Sequence, residues 1–262
     1  MSDWLHNLPV VWMALVVFGF TYLVAAAIYA IVTVLAVAER ARSFKAVSAG
    51  MLPPLGIIFG LFVAFTAAQV WTDTERANTA VSREASALRA VVILAASFPG
   101  EPEARMRALI RRYIEEVATQ EWPMLARHTA TLRITPRAVA EALHLTLALT
   151  PETEGQKTAQ REIATALENA LDARRQRIIV SQSQVNLVKW SCLLVQAACA
   201  LLAIAMVHSD NRLAPTITMG IFATGVAASI WLILSHDRPF TGELSVQPDP
   251  LLQVMPEAEA SQ

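Results

Sequence analysis

Four stretches of the chain carry no charged residue, and each is long enough to cross a bilayer. They lie between Asp3 and Glu39, Lys45 and Asp73, Lys189 and Asp210, and Arg212 and Asp237. About 20 apolar residues in a helix cover roughly 30 Å of hydrocarbon at about 1.5 Å per residue. The pattern predicts transmembrane helices near 10–38, 51–71, 190–207 and 213–234. The first is longer than a perpendicular crossing needs and is expected to tilt. Trp12, Trp71, Trp190 and Trp231 fall near or within the last turns of these runs. Each either anchors its span at the membrane–water interface or fills space between helices.

Residues 72–186 break this pattern. Here apolar positions recur at helical spacing in an otherwise polar sequence. Val81, Leu88, Val92 and Ala95 form one such row, and Met106, Leu109, Ile110, Tyr113, Ile114 and Val117 form another. Ile163, Leu167, Ala170, Leu171 and Ile178 form a third. Pro99-Gly100, Pro102, Pro123, Pro136, Pro151 and Gly155 punctuate the segment. They divide it into helices near 73–97, 102–121, 137–149 and 156–186, with Trp122-Pro123 read as a helix end. No strand periodicity competes. The chain is therefore expected to be an all-α, polytopic membrane protein with an extramembrane helical domain inserted between helices two and three. Its parts are 1–71, 72–186, 187–236 and a tail, 237–262. No breaker lies between Leu55 and Pro99, or from Gln156 through the third span. The domain is thus expected to be continuous with both flanking spans.

Composition sharpens this division. Of the 262 residues 55% are apolar and 16% charged, against about 45–50% and about 25% in soluble domains. The charge is concentrated: 15 of 21 basic and 14 of 22 acidic residues lie in 72–186. The net charge of −1 leaves no basic surface for nucleic acid. The segment ahead of the first span holds Asp3 and no Lys or Arg, unlike a cleavable signal, so the first span is expected to remain. Cys192 and Cys199 lie seven apart within the third span, on one helix face, and read as small apolar residues. Five scattered histidines, no H-E-x-x-H, G-x-S-x-G or P-loop pattern and no paired ligand spacing give no catalytic group, metal or cofactor. The adjacent Glu115 and Glu116 point to different sides of their helix and make no acid/base pair.

The second span has the most specific pattern. After Pro53-Pro54, the small residues Gly56, Gly60, Ala64 and Ala68 fall four apart, a ridge that admits close helix packing. Beside it lie Ile58, Phe62, Phe65, Thr66 and Gln69. Two readings stand for these. They line a pore, apolar rings giving way to a polar mouth, or the phenylalanines face lipid and core. No span contains an acidic residue, and Lys189 sits at the edge of the third. That argues against a buried proton relay. Arg76, Arg83, Glu84, Asp172, Arg174, Arg175 and Arg177 cluster at the membrane-proximal ends of the long helices. They form either a charged vestibule or interhelical ion pairs with solvated faces.

Orientation is read from basic residues. Arg40, Arg42 and Lys45 follow the first span, with Arg212 in the other loop on that side, and place those loops in the cytoplasm. Arg76, Arg83, Arg89, Arg174, Arg175, Arg177 and Lys189, counted instead, place the inserted domain there.

Certain residues carry a resemblance. They are Phe65 through Gln69, Glu75-Arg76, Arg83-Glu84-Ala85, Tyr113, Glu121-Trp122-Pro123, Arg174 to Arg177, and Asp237-Arg238-Pro239-Phe240-Thr241-Gly242. In this order, between about residues 10 and 250, the chain resembles the bestrophin-like family of four-span bacterial membrane proteins. The resemblance implies the fold above and a place in the bacterial inner membrane. Bestrophins are oligomeric anion channels whose second span lines the pore through an apolar neck. That implies a homo-oligomer in a lipid bilayer passing small ions, anions above all, with the neck on Ile58, Phe62 and Thr66. Thr66 departs from a third apolar ring. The acidic calcium clasp of animal bestrophins is missing at Pro239-Phe240-Thr241-Gly242-Glu243, which argues against calcium gating. The alternative is a non-conducting scaffold or sensor whose helical domain binds a partner.

Overall fold

The computed structural model describes residues 3–35, 49–207 and 213–257. Arg40, Arg42, Lys45 and Arg212, on which one orientation rests, lie outside the described residues. The described residues are helical, with no strand among them. In chain order the helices are α1 (Asp3–His6), α2 (Val10–Leu35), α3 (Leu52–Ala95), α4 (Glu101–Glu116), α5 (Trp122–Ala126), α6 (Arg137–Ala148), α7 (Glu154–Ser181), α8 (Leu187–Val207), α9 (Leu213–His236) and α10 (Asp249–Gln253). A π turn, Val117–Glu121, joins α4 to α5. Four helices, α2, α3, α8 and α9, are long and apolar enough to cross a membrane. The chain is an all-α polytopic membrane protein.

It divides into two units. One takes in Met1–Thr72, Gln184–Arg238 and Gly242–Leu244, the other Asp73–Ser183, Pro239–Thr241 and Ser245–Gln262. Helix α3 runs unbroken for 44 residues and contributes to both.

In the first unit, α2, α8 and α9 pack together around Met13, Val17, Trp190, Leu193, Ala197, Val226, Ala227 and Ile233. A second cluster joins Ala25, Val32, Leu201, Ala205, Met219 and Ala223. Alanines at the seam, Ala223 and Ala227 wholly buried, let backbones approach closely without a hydrophobic drive between them. Helix α3 offers Phe59 and Val70 to the first cluster. Of the four tryptophans, Trp12 and Trp71 are exposed, whereas Trp190 is buried at 4%.

The same unit shows why the third span is not continuous with α7. The helix stops at Ser181 and restarts at Leu187, although neither proline nor glycine intervenes. The intervening backbone groups find other partners. The Val185 amide donates to Asp237 Oδ1 at 2.6 Å, and Asn186 Oδ1 accepts from the Lys189 amide, capping α8. The other Asp237 oxygen lies 3.2 Å from Nε2 of the buried His6. Gly242, at φ +92°, is pressed against the His6 carbonyl, where a Cβ would come within 3.0 Å.

The second unit is a soluble-type core. Ala77, Val81, Leu88 and Val91 of α3 meet Met106, Ile110, Tyr113 and Ile114 of α4. Ala138, Val139 and Ala142 of α6 and Ile163, Leu167, Ala170 and Ile178 of α7 complete it. Phe240, Val246 and Leu251 of the C-terminal segment are buried in the same core. Trp122-Pro123 is not a helix end. Pro123 has no N–H to give the preceding turn, and the wider π turn before it absorbs that loss, so helix resumes through Ala126. The cap of α7 is Thr153, whose hydroxyl accepts from the Gln156 amide.

Candidate functional site

Two arrangements stand out, one in each unit. The first is the part of α3 that carries the small-residue ridge. Phe59, Thr66 and Val70 recur at seven and four and turn inward, each below 9% exposed. The ridge of Gly56, Gly60, Ala64 and Ala68 lies on the exposed side, and nothing lies within 4 Å of a Cβ built on either glycine. Between these faces runs a stripe at spacings of four, three and four. It comprises Ile58, 54% exposed, the half-buried Phe62, Phe65, 68% exposed, and the half-buried Gln69. Thr66 sits apart from the stripe: it is buried and its hydroxyl donates to the Phe62 carbonyl. Phe62 packs against the first cluster, and Phe59 meets Phe222 with ring centroids 5.7 Å apart.

The polar end of the stripe is charged in a way the spacing did not suggest. Lys189 Nζ donates to Gln69 Oε1, so an ammonium sits beside the last residue of the stripe. Trp71, two residues on, stacks on His236 at 5.9 Å.

The second arrangement separates the charged cluster. Arg76, Arg83 and Arg175 are exposed, and Arg76 pairs with Asp73 of its own helix, 3.4 Å away. Glu84, Arg174 and Arg177 are buried. Arg177 Nε donates to Glu84 Oε2 at 2.8 Å and Nη2 to Oε1 at 3.0 Å, a two-pronged pair with both side chains at 0% exposure. Tyr113 donates to the same Oε1 at 2.5 Å. Arg177 Nη2 also lies 2.8 Å from Glu121 Oε1, whose partner oxygen takes two bonds from Arg174, at 2.8 and 2.5 Å. The Trp122 ring lies 5.1 Å from the Arg177 guanidinium carbon, and its N–H donates to the Val246 carbonyl. Two arginines, two glutamates and a phenol thus balance in the core and tie α3, α4, α7 and the C-terminal segment.

The electrostatics follow from this geometry. Burial raises the Tyr113 phenol well above its ordinary value; Glu84 adds to that, and Arg177 opposes it. Burial works against the charge on Arg177, but Glu84, Tyr113 and Glu121 outweigh it, and the guanidinium is held charged more firmly than in water. Glu121 entered the sequence pattern only through the family likeness, and Tyr113 through that likeness and as a member of the apolar row of α4; neither was expected in the ion cluster. The signal was present: Glu84, Arg174 and Arg177 occupy core positions of otherwise apolar rows.

Beside this cluster α3 and α7 enclose a groove of about 730 Å³. Its charged walls are Glu75, Glu162 and Asp172 against Arg83. This is an acidic excess, which attracts cations rather than anions. Among the described residues no group of three or more His, Cys, Asp or Glu side chains is placed to hold a metal ion.

A bundle of apolar helices joined to a charged helical core defines a helical membrane protein with one exposed, patterned span. Residues 9–251 match the family model of the Bestrophin-like domain, and the chain belongs to that family. The fold agrees. Crystal structures of a bacterial bestrophin homologue from Klebsiella pneumoniae, in two single-site variants, superpose with a TM-score of 0.69 at 13% and 14% identity. Each covers 91% of this chain, and 97% and 96% of the homologue. The crystal structure of a membrane protein carrying a glycine-to-alanine substitution gives a TM-score of 0.66 at 14% identity over 90% of this chain and 95% of its own. No curated protein sequence matches the chain.

Proposed function

We propose that the protein is a homo-oligomeric channel of the bacterial inner membrane, conducting anions along a pore lined by α3. The observation that carries this is the state of that helix. Only 17% of its most apolar window is buried within one chain, against 22% for α2, 44% for α8 and 39% for α9, and α3 differs from the comparably exposed α2 in carrying the small-residue ridge. A span with a small-residue ridge on its exposed side is built to meet other helices closely. The stripe of Ile58, Phe62, Phe65 and Gln69 lies on a different side of the helix from that ridge and faces the axis when copies pack against the ridge. Ile58 and Phe62 supply an apolar constriction, which gates by excluding water. Gln69, with Lys189 beside it, supplies a wet, positive end. The positive charge there favours anions over cations, whereas the acidic groove between α3 and α7 does not. Arg76, Arg83 and Arg175, being exposed, remain the vestibule candidates. Glu84, Arg174 and Arg177 serve as buried ion pairs. The alternative is a scaffold that docks a partner in an apolar groove of the helical domain; the groove between α3 and α7 mixes Ala87, Ala90 and Leu94 with the charges of Glu75, Arg83, Glu162 and Asp172.

Cysteine accessibility tests the lining. With Cys192 and Cys199 replaced by serine, Ile58→Cys or Phe62→Cys is reconstituted in liposomes. A charged methanethiosulfonate reagent is expected to change anion flux at both positions. The same reagent on Leu202→Cys, exposed on α8, is expected to leave flux unchanged. Modification of Ile58→Cys and Phe62→Cys without any change in flux would remove them from the pore.

A further inference from the structure

In the second unit a cavity of about 180 Å³ lies beside the ion cluster. The π turn Val117–Glu121 supplies one wall, and the loop that leads into α6 supplies another. Val117 and Ala130 are buried in those walls, while Met124 and Ile134 are exposed, so the cavity opens outward past apolar side chains. Arg174 of α7 lines it as well. Its side chain is only 9% exposed, and Nε and Nη2 both donate to Glu121 Oε2. Its Nη1 makes no hydrogen bond and keeps accessible surface, unlike Nη1 of Arg177, which is unbonded and enclosed. Helix α7 turns Asp172, Ala173 and Gln176 toward the groove it forms with α3, and Arg174 toward this cavity.

A guanidinium nitrogen with its protons unspent at a cavity wall calls for an acceptor. The wall charges decide which kind. Arg174 is already balanced by Glu121, and Glu116, 3.7 Å from Arg112 at its nearest, adds a second carboxylate to the lining. An anion would enter against that acidic excess, whereas a neutral oxygen does not. Glu116 and Gln120 in turn offer oxygens to an N–H. The space holds about a dozen water-sized positions. We infer that the cavity binds a compact, neutral amide with an apolar body. The carbonyl accepts from Arg174 Nη1, the N–H donates to Glu116 or Gln120, and the hydrocarbon packs on Met124 and Ile134. The π turn contributes by bringing Val117, Gln120 and Glu121 to one cavity, a use that π turns often serve. The inference does not depend on conduction, since binding is read without any current.

The test uses the full chain in nanodiscs and three probes: 4-fluorobenzamide, 4-fluorobenzoate and fluorobenzene. Binding is read by fluorine NMR relaxation, with the signal from empty discs subtracted. The amide is expected to bind saturably and at least about tenfold more tightly than either of the others, the least that a hydrogen bond to a charged group supplies. Arg174→Lys keeps a charge for Glu121 but lacks the second arm of the fork. It is expected to weaken the amide about tenfold and to leave fluorobenzene unchanged. Ala130→Leu narrows the cavity away from the ion cluster and is expected to abolish amide binding. Leu147→Trp, exposed on α6 and outside the cavity, is expected to leave it unchanged. No saturable binding of the amide, benzoate or fluorobenzene binding as tightly as the amide, or amide binding indifferent to Arg174→Lys or to Ala130→Leu would each overturn the inference.

Discussion

The residue with most at stake is Arg177. It is wholly buried, and its charge is balanced by Glu84 and Glu121 while Tyr113 shares the Glu84 carboxylate. A buried pair of this kind adds little or nothing over a well-packed apolar substitute, because desolvating two ions offsets their attraction. Removing one partner is different, since it strands the other charge. Glu84→Met is expected to cost about 3–5 kcal/mol. Glu84→Met with Arg177→Met is expected to cost less than Glu84→Met alone, because Glu121 keeps both bonds from Arg174. Thermal unfolding of the purified single and double variants checks the order; a double variant less stable than Glu84→Met would contradict it. The sequence left these groups as either a charged mouth or interhelical ion pairs with solvated faces, because arginine in a polar helix is normally solvated. What distinguishes Arg177 is register. It falls in the row of Ala170 and Ile178, while Arg175 falls outside it and is exposed. Partner identity was not legible, because Tyr113 and Glu121 reach the pair across the fold.

At the scale of elements, helices were legible wherever periodicity or charge-free length decided them. The four apolar runs and the rows of α3, α4 and α7 need only spacing. Two features needed tertiary information. The stop between α7 and α8 has no breaker; it is held open by Asp237 taking the Val185 amide from far along the chain. The π turn at Val117–Glu121 adds a residue to a turn, which a 3.6-residue period does not reveal. For α3 the sequence presented a ridge without saying what covers it, and the fold leaves Gly56, Gly60, Ala64 and Ala68 exposed. If those residues meet another copy, a larger side chain must hinder assembly. Ala64→Leu is expected to shift the purified protein to smaller assemblies, read by light scattering with size exclusion, while Leu202→Ala on α8 leaves the mass unchanged. An undiminished mass for Ala64→Leu would remove the ridge from the interface.

At the scale of the molecule, two kinds of core coexist in one chain. The apolar unit packs side chains as small as Ala227 and as large as Trp190 at close helix contacts. The second unit adds a balanced ion cluster to its apolar core, as a soluble domain does. The family match spans both, from residue 9 to 251. The division was visible in the charge pattern, because 29 of the 115 residues in 72–186 are charged and the spans are nearly free of charge. In the proposed channel the pore is a property of the assembly rather than of a single chain. The most direct measurement is planar-bilayer recording of the purified protein with chloride at different concentrations on the two sides. The account predicts unitary currents whose reversal potential follows the chloride gradient. Silence, or a reversal potential that follows the cation gradient, would contradict it.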